Sequence, residues 1–239
     1  MEWFQSGQVA IVTGGSRGLG KALAHELLVK GLRVIADARD PVELEATRRE
    51  LAEFGEIVAI AGDVADSDHV HAMIAAAERY GRLDLLVNNA STLGKTPLPE
   101  IDRLDRRSFD SLFEVNVFAP IHLMQHALKL MVRSELSTIV NVTSDAGVEA
   151  YPTWGGYGAT KAALEHVSGV LAVELKGRST RVLVFDPGDM NTAMHRAAIP
   201  HADPNELRDP ADSARALLRA VAGMEGGYAR VRASDLVPA

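Results

Sequence analysis

Short runs of apolar, often β-branched residues alternate along this chain with longer stretches in which apolar positions recur every three or four residues. The short runs predict buried strands, and the longer stretches predict amphipathic helices. Strands are expected at 9–13, 33–37, 57–61, 83–87, 138–142, 181–185 and near 228–231. Helices are expected after the first strand, at 42–54, 67–80 and about 105–133, around residue 157 to about 176, and at 210–222.

This order of elements indicates an α/β fold. Strands that alternate with helices of ordinary length form βαβ units, whose right-handed crossovers build a parallel sheet. Ligands of such sheets bind beyond the carboxyl ends of the strands. We expect a single domain over residues 1–239, in which an irregular, mobile segment at about 189–209 covers the substrate.

Composition narrows the function classes. The 239 residues are 47% hydrophobic and carry a net charge of −7, which disfavours nucleic acid or an anionic membrane as a partner. There is no cysteine, so no disulfide and no thiolate metal site can form. No apolar segment is long enough to span a bilayer, and residues 1–7 do not resemble a signal peptide. We therefore expect a cytoplasmic protein.

The first predicted strand breaks into the glycine-rich stretch Gly14-Gly15-Ser16-Arg17-Gly18-Leu19-Gly20, and a helix follows. Strand, glycine turn and helix is the context of a dinucleotide site, where the backbone approaches a pyrophosphate held at the helix N-terminus. The spacing is G-x-x-x-G-x-G rather than G-x-G-x-x-G. A glycine-rich turn without a ligand is the alternative.

A second candidate is the pair Tyr157 and Lys161, four residues apart on a predicted helix and hence on one face. A cation beside a phenol lowers the pKa of the phenol, so the pair could move a proton near neutral pH. An ordinary helix surface is the alternative for this spacing alone. Small residues around the pair, such as Gly158 and Ala162, indicate that another element approaches this helix closely.

Within the predicted helix 105–133 lies Pro120. Proline offers no N–H to the carbonyl four residues earlier, which is that of Asn116. We therefore predict a kink with a free Asn116 carbonyl; a tolerated structural kink is the alternative.

Taken together, these motifs resemble the short-chain dehydrogenase/reductase family, over the chain from Val9 to about Met194. The matching positions are Thr13-Gly14-x-x-x-Gly18-x-Gly20, Asp63-Val64, Asn88-Asn89-Ala90, Asn116, Ser144, Tyr157-x-x-x-Lys161, Pro187-Gly188 and Thr192. The resemblance implies a Rossmann-like, doubly wound parallel sheet of about seven strands in the order 3-2-1-4-5-6-7, with helices on both faces. It also implies hydride transfer between a nicotinamide and a carbonyl or secondary alcohol.

The resemblance assigns roles to individual residues. Tyr157 would be the acid/base, Ser144 would hold the substrate oxygen, Lys161 would bind the nicotinamide ribose, and Asn116 would steady a water. The residues expected to bind the cofactor are Gly14, Ser16, Arg17, Gly18, Leu19, Gly20, Ala38, Arg39, Asp63, Val64, Asn89, Ala90, Tyr157, Lys161, Pro187, Gly188, Met190 and Thr192.

The choice between NADP and NAD depends on the end of the second strand. Asp37 there suggests NAD, because an acid at this place binds the ribose 2′-hydroxyl. In the family's register the selecting position is the next one, which is Ala38. Arg39 follows and, with Arg17, could bind a 2′-phosphate. NADP is therefore favoured, with NAD as the alternative.

The chain departs from the family at two places. Ser91 replaces the glycine that usually follows Asn-Asn-Ala, and the usual glycine-rich ending is missing at 236–239. The second departure favours a homodimer, formed through the helix 105–133 and the Tyr157 helix, over a homotetramer.

No metal site is expected. His122 and His126 share a helical spacing, but the sequence shows no third ligand beside them. A Ser–His–Asp hydrolase site is not expected either, because Ser144 and Asp145 lack a G-x-S-x-G elbow.

The sequence leaves the substrate open. Candidate pocket residues are Leu93, Tyr151, Trp154, Met190, Met194 and His195, with Glu149 and His195 as ionisable candidates for recognition. A regulator that binds the cofactor without turnover is the alternative function.

Overall fold

Seven parallel strands form one sheet in the order β3-β2-β1-β4-β5-β6-β7, which confirms the predicted topology. The computed structural model describes residues 3–236. Residues 1–2 and 237–239, on which the expectations about the signal peptide and the chain's ending partly rest, lie outside them. The strands are β1 Val9–Val12, β2 Arg33–Ala38, β3 Ile57–Ala61, β4 Leu85–Asn88, β5 Ser137–Val142, β6 Thr180–Asp186 and β7 Tyr228–Arg232.

Helices cover both faces of this sheet, so the fold is doubly wound. One core joins α1, α2 and α8 through residues such as Leu27 and Leu217; the other joins α3, α5 and α6 through residues such as Met73 and Leu123. The helices are α1 Gly18–Val29, α2 Pro41–Leu51, α3 Ser67–Glu78, α4 Arg106–Phe113, α5 Ala119–Met131, α6 Gly155–Glu174, α7 Ala193–Ala198 and α8 Pro210–Ala222. No helix within 3–236 is long and apolar enough to cross a membrane.

The predicted single helix 105–133 is wrong in detail. The structure divides it into α4, a π-helical turn at Glu114–Phe118 and α5. The amide of Ala119 donates to the carbonyl of Glu114, five residues back. Because Pro120 has no N–H for the carbonyl of Asn116, regular α-helical bonding cannot pass through this point. The irregularity thus lies where the proline predicted it, while the free Asn116 carbonyl stays a prediction.

The segment 189–209 has more order than the sequence indicated. It contains α7, whose first turn is capped by the Thr192 hydroxyl accepting from the amide of His195 at 3.2 Å. Met190 pairs with Arg208 in a β-bridge, so the two ends of the segment lie side by side. The mobility of this segment stays a prediction.

The packing of α3 on α5 corrects the expectation that His122 and His126 have no third ligand nearby. His71 of α3 joins them, and one ring nitrogen from each lies within 4.8 Å of the other two. Helical periodicity identifies neighbours on one helix, but it does not reveal which other helix packs beside it. The sequence therefore did not predict that His71 lies beside the two histidines of α5.

Candidate active site

Tyr157, Lys161 and Ser144 line one cavity of about 260 Å³ at the carboxyl end of the sheet. Tyr157 and Lys161 lie one turn apart on α6, and Ser144 follows β5. The short turn 145–147 can approach α6 because Gly158 has no side chain: a Cβ there would collide with the carbonyl oxygen of Ala146. Another element thus approaches α6 closely at Gly158, as the small residues predicted, and that element is the turn that follows Ser144.

Lys161 is held deep in this cavity. Its side chain is almost wholly buried, and its Nζ donates to the carbonyl oxygen of Val142 at 2.9 Å. The same Nζ lies 5.4 Å from the centre of the Tyr157 ring. Burial lowers the pKa of Lys161 to about 8, and the charge of Glu165 acts in the other direction.

Burial raises the pKa of Tyr157 above its ordinary value. A hydrogen bond with Ser91 acts in the opposite direction, and the charges of Asp186 and Asp145 add to the rise. Burial is the largest of these influences, and that Lys161 lowers the pKa of Tyr157 stays a prediction. The phenol is neutral near pH 7 and can donate a proton.

Asn116 lies beside the cavity rather than in its wall. Its side-chain oxygen accepts from the Ser91 hydroxyl at 3.0 Å and from the amide of Thr92 at 2.9 Å. Its amide nitrogen donates to the carbonyl of Thr92 at 2.9 Å and to the hydroxyl of Thr160 at 3.0 Å. The side chain therefore ties the loop after β4 to α6, and it reaches the cavity through Ser91.

Ser144 keeps its hydroxyl within the local turn. It donates to Asp145 Oδ1 at 2.9 Å and accepts from the amide of Ala146 at 3.2 Å. The second oxygen of Asp145 accepts from the hydroxyl of Tyr151 at 3.0 Å, which holds that carboxylate in place. Ser144 lines the cavity, so its hydroxyl could instead donate to an oxygen bound there.

The glycine-rich turn forms the wall of a larger cleft of about 1330 Å³. Gly14 and Gly18 have φ angles of +68° and +53°, which side chains disfavour. A Cβ on Gly20 would collide with the carbonyl oxygen of Gly14, so this glycine allows α1 to pack on the turn. Gly14 and Gly18 thus expose their backbone in the cleft wall, while Gly20 permits the packing behind it.

The first turn of α1 suits an anion. Its N-cap residue Arg17 makes no side-chain capping bond, and no acidic residue lies in the first turn. By contrast, α2, α3 and α8 each begin with an aspartate that accepts from backbone amides. Free amides and a positive helix end are what a pyrophosphate requires. The residues present therefore fit a nicotinamide dinucleotide.

Asp37 borders the larger cleft, but both of its carboxylate oxygens have partners inside the protein. It is 1% exposed, and its two carboxylate oxygens contact the amide of Gly14 at 2.8 Å and His69 Nε2 at 3.0 Å. Ala38 and the exposed Arg39 follow it on the cleft wall, where Arg17 also lies. Asp37 thus holds the glycine turn through its hydrogen bond with the amide of Gly14.

The other expected cofactor residues fall around these two cavities. Asn89 donates to the carbonyl of Thr13 at 2.7 Å, and the amide of Ala90 donates to the Thr13 hydroxyl at 2.9 Å, which fixes the loop after β4. Those in the larger cleft are Gly14, Ser16, Arg17, Gly18, Leu19, Ala38, Arg39, Asp63, Val64, Asn89, Ala90, Met190 and Thr192. Those in the smaller cavity are Leu19, Asn89, Tyr157, Lys161, Pro187, Gly188, Met190 and Thr192. Gly20 is in neither.

The candidate substrate residues divide in the same way. Those in the smaller cavity are Leu93, Trp154, Met190, Met194 and His195. Tyr151 and Glu149 are not in its wall; the Tyr151 hydroxyl lies 3.0 Å from Glu149, which pairs with Arg232 at 3.1 Å.

Ser91 and Asp186, in the wall of the smaller cavity, make contacts that the sequence did not predict. Ser91, recognised only as a departure from the family pattern, connects Asn116 to Tyr157. Asp186, whose pKa is raised by burial, lies in the cavity wall within 3.9 Å of Arg230 and 3.7 Å of Arg232. As the last residue of β6, Asp186 carries no sequence signal that separates it from an ordinary strand end.

Comparison with known proteins agrees with this geometry. The family description "short chain dehydrogenase" matches residues 8–203. An uncharacterized short-chain type dehydrogenase/reductase of Sinorhizobium fredii is 34% identical over 221 residues, covering 90% of this chain and 85% of the relative.

Solved structures that resemble this chain belong to the same kind of protein. A short chain dehydrogenase from Pseudomonas syringae superposes with a TM-score of 0.89 at 29% identity, covering 98% of this chain and 97% of the other. A metagenomic short-chain oxidoreductase solved in complex with NADP has a TM-score of 0.78 and 31% identity, with 95% and 97% covered. Together with the glycine turn, Ser144, Tyr157 and Lys161, these matches show that the chain belongs to the short chain dehydrogenase family.

Proposed function

We propose that this protein is an NADP-preferring reductase of a carbonyl compound, with Tyr157 as its proton donor. The observation that carries the proposal is the junction of the two cavities. Leu19, Asn89 and Thr192 belong to the walls of both. A dinucleotide bound along the glycine turn would therefore reach the cavity that contains Tyr157, Lys161 and Ser144.

The chemistry follows from these side chains. A bound nicotinamide supplies or accepts the hydride. Tyr157 donates the proton to the oxygen on which negative charge develops, and Ser144 donates a hydrogen bond to that same oxygen. Because burial keeps the phenol of Tyr157 neutral, it is ready as an acid, which favours reduction at neutral pH.

Lys161 has two parts in this proposal. Its ammonium can hydrogen-bond the nicotinamide ribose, and its bond to the Val142 carbonyl keeps it on the floor of the cavity. Its pKa of about 8 leaves it mostly charged at pH 7, so it also attracts negative charge that develops near Tyr157.

The preference for NADP rests on the end of β2. Asp37 uses both carboxylate oxygens inside the protein, so it is poorly placed to bind a ribose hydroxyl. Ala38 presents no acid to the cleft, and Arg39 and Arg17 offer two guanidinium groups suited to a phosphate. The NADP complex of a structural relative agrees with this preference.

The proposal is tested by NADPH oxidation against a panel of aldehydes and ketones, with NADH measured in parallel. We expect turnover with at least one carbonyl compound and a higher kcat/KM for NADPH than for NADH. A clear preference for NADH would overturn the choice of cofactor.

The matched variant for this assay is Tyr157→Phe, which removes only the hydroxyl. We expect it to lower kcat by about 10²- to 10⁴-fold, the usual contribution of general acid catalysis. NADPH binding, followed by nucleotide fluorescence, should be unchanged. Equal turnover in Tyr157→Phe would disprove the role of Tyr157.

A regulator that binds the cofactor without turnover is the alternative. It predicts NADPH binding with no turnover on any substrate of the panel. The presence of both Tyr157 and Lys161 in one buried cavity favours the enzyme.

A further inference from the structure

Three histidines form a cluster on the outer surface, where α3 packs on α5. His122 and His126 are one turn apart on α5, and their Nε2 atoms are 3.1 Å apart. His71 of α3 completes the cluster, with ring centres 4.6 Å from His126 and 5.9 Å from His122. None of the three lines the glycine-turn cleft or the Tyr157 cavity.

The spacing of the ring nitrogens suits a metal ion. Imidazole nitrogens bind Zn²⁺ at about 2.0–2.1 Å, so two of them in a tetrahedral site lie roughly 3.4 Å apart. The pair on α5 is already near this separation, and all three coordinating atoms lie within 4.8 Å of one another. Closing the site requires His71 to move by on the order of 1 Å. Its side chain is exposed, so a rotation about its own bonds can supply that movement.

The surroundings of His126 favour its neutral form, which is the form that binds a metal. Burial lowers the pKa of His126, and His122, His71 and Lys129 add to this through repulsion. Among the ion pairs within residues 3–236, none joins an acid to these three rings. Neutral imidazole is the form that coordinates a metal, and no acid competes with an ion for these rings among the ion pairs of the described residues.

We propose that His71, His122 and His126 bind one divalent transition-metal ion of the zinc class, with a fourth position open to water. Three imidazoles suit Zn²⁺, Co²⁺, Ni²⁺ or Cu²⁺ and disfavour Mg²⁺ and Ca²⁺, which prefer oxygen ligands. Because His71 comes from α3 and the other two come from α5, the metal would join these helices outside the active site. The site is independent of the proposed reductase activity.

The test uses the full chain without an affinity tag, stripped of metal by a chelator. Co²⁺ is titrated in while visible absorption reports tetrahedral coordination, and Zn²⁺ binding is measured by calorimetry. We expect one metal per chain and a Tm that rises with Zn²⁺ concentration, because a ligand that binds only the folded state stabilises it. Mg²⁺ at the same concentration should leave the Tm unchanged.

The decisive variant is His71→Ala, which leaves the pair on α5 intact. We expect its Zn²⁺ affinity to fall by at least about tenfold, since losing even an outer-shell partner costs 10- to 100-fold. The Zn²⁺-dependent rise in Tm should disappear with it. If His71→Ala folds poorly, His71→Gln replaces it in the test, because glutamine keeps a polar side chain at this position. His71→Gln should lose the same Zn²⁺ affinity.

His166→Gln is the matched control, because it removes an exposed histidine from α6, outside the cluster. It should bind Zn²⁺ as the wild type does. Two results would overturn the proposal: no Zn²⁺ or Co²⁺ binding by the wild type, or binding that survives in both His71 variants. The second result would mean that the two histidines of α5 chelate metal by themselves.

Discussion

The same loss of hydration acts on Tyr157 and Lys161, and it favours the neutral form of both. Lys161 donates a hydrogen bond to a carbonyl and is attracted by the charge of Glu165, but the loss of hydration is the larger effect on its pKa. Tyr157 for its part would bury a negative charge if it ionised. The sequence showed only that the two residues share a helix face; their burial depends on packing.

The burial of Lys161 predicts a pH-dependent stability. Its pKa falls from 10.5 to about 8 on folding, so between these values the unfolded chain binds more protons than the folded one. Stability therefore rises with pH across this window, and the cost of the charge is fully present below pH 8. At about 1.4 kcal/mol per pKa unit, that cost is about 3 kcal/mol.

Lys161→Met removes this cost. At pH 7 we expect its free energy of unfolding to exceed that of the wild type, and the difference should shrink as the pH approaches 10.5. Urea unfolding of the two proteins at several pH values measures this difference in stability and its change with pH. A difference that does not change with pH would show that burial of the Lys161 charge is not its source.

Arg39 gives a prediction on cofactor choice. If its guanidinium binds the 2′-phosphate, Arg39→Ala should lower kcat/KM for NADPH by about 10- to 100-fold, as expected for a charge-assisted hydrogen bond of 1.5–3 kcal/mol. The value for NADH should barely change. Arg178→Ala, which removes an exposed arginine far from the cleft walls, is the control. An equal loss with both cofactors would contradict a contact with the phosphate.

At the scale of elements, the approach of the turn 145–147 to α6 decides where Ser144 lies. Gly158 permits that approach, since a side chain there would meet the Ala146 carbonyl. Gly169 lies on the same helix, but the nearest atom to a Cβ there is 4.0 Å away. Replacing each glycine by alanine therefore separates the effect of the contact between α6 and the turn 145–147 from the effect of alanine on helix stability.

Gly158→Ala should lower kcat, because the turn that carries Ser144 must shift, and it should destabilise the fold by about 1–3 kcal/mol through overpacking. Gly169→Ala should leave kcat unchanged and stabilise the fold by up to about 1 kcal/mol, because alanine favours a helix. Kinetics and urea unfolding of both variants check this. Equal behaviour of the two would mean that the turn does not depend on Gly158.

The observed helix boundaries show which features a local sequence pattern predicts and which it does not. The helix 210–222 matches its prediction because an aspartate cap and a proline mark its start. The helix 105–133 was predicted as one because apolar positions continue through the proline, and periodicity does not show a π-helical turn. The order within 189–209 was missed because a β-bridge and a hydroxyl cap hold it, not a periodic pattern.

At the scale of the whole molecule, several exposed apolar residues lie on the helices through which the sequence predicts a homodimer. Phe118 of the π-helical turn is 51% exposed, and Val170 and Val173 of α6 are 45% and 74% exposed. We therefore propose a homodimer through the stretch from α4 to α5 together with α6, rather than a homotetramer.

Val173→Glu should convert this dimer to a monomer in light scattering after gel filtration, because it would bury a charge in the interface. Val42→Glu, which changes an equally exposed valine of α2, should remain dimeric. A monomeric wild type, or a Val173→Glu protein that stays dimeric, would contradict this interface.

The sequence by itself predicted the strands, the glycine turn and, through the family that its motifs resemble, the sheet order and the proposed site residues. Strand and helix patterns are local, and the family motifs place each residue at a strand end or on a helix face. Tertiary structure alone decided that Asp37 pairs with His69, that Ser91 connects Asn116 to Tyr157, and that His71 meets the histidines of α5. Each of these depends on which distant segments touch. The direction of the Tyr157 pKa shift belongs with them, because hydration is lost only when the cavity closes around the side chain.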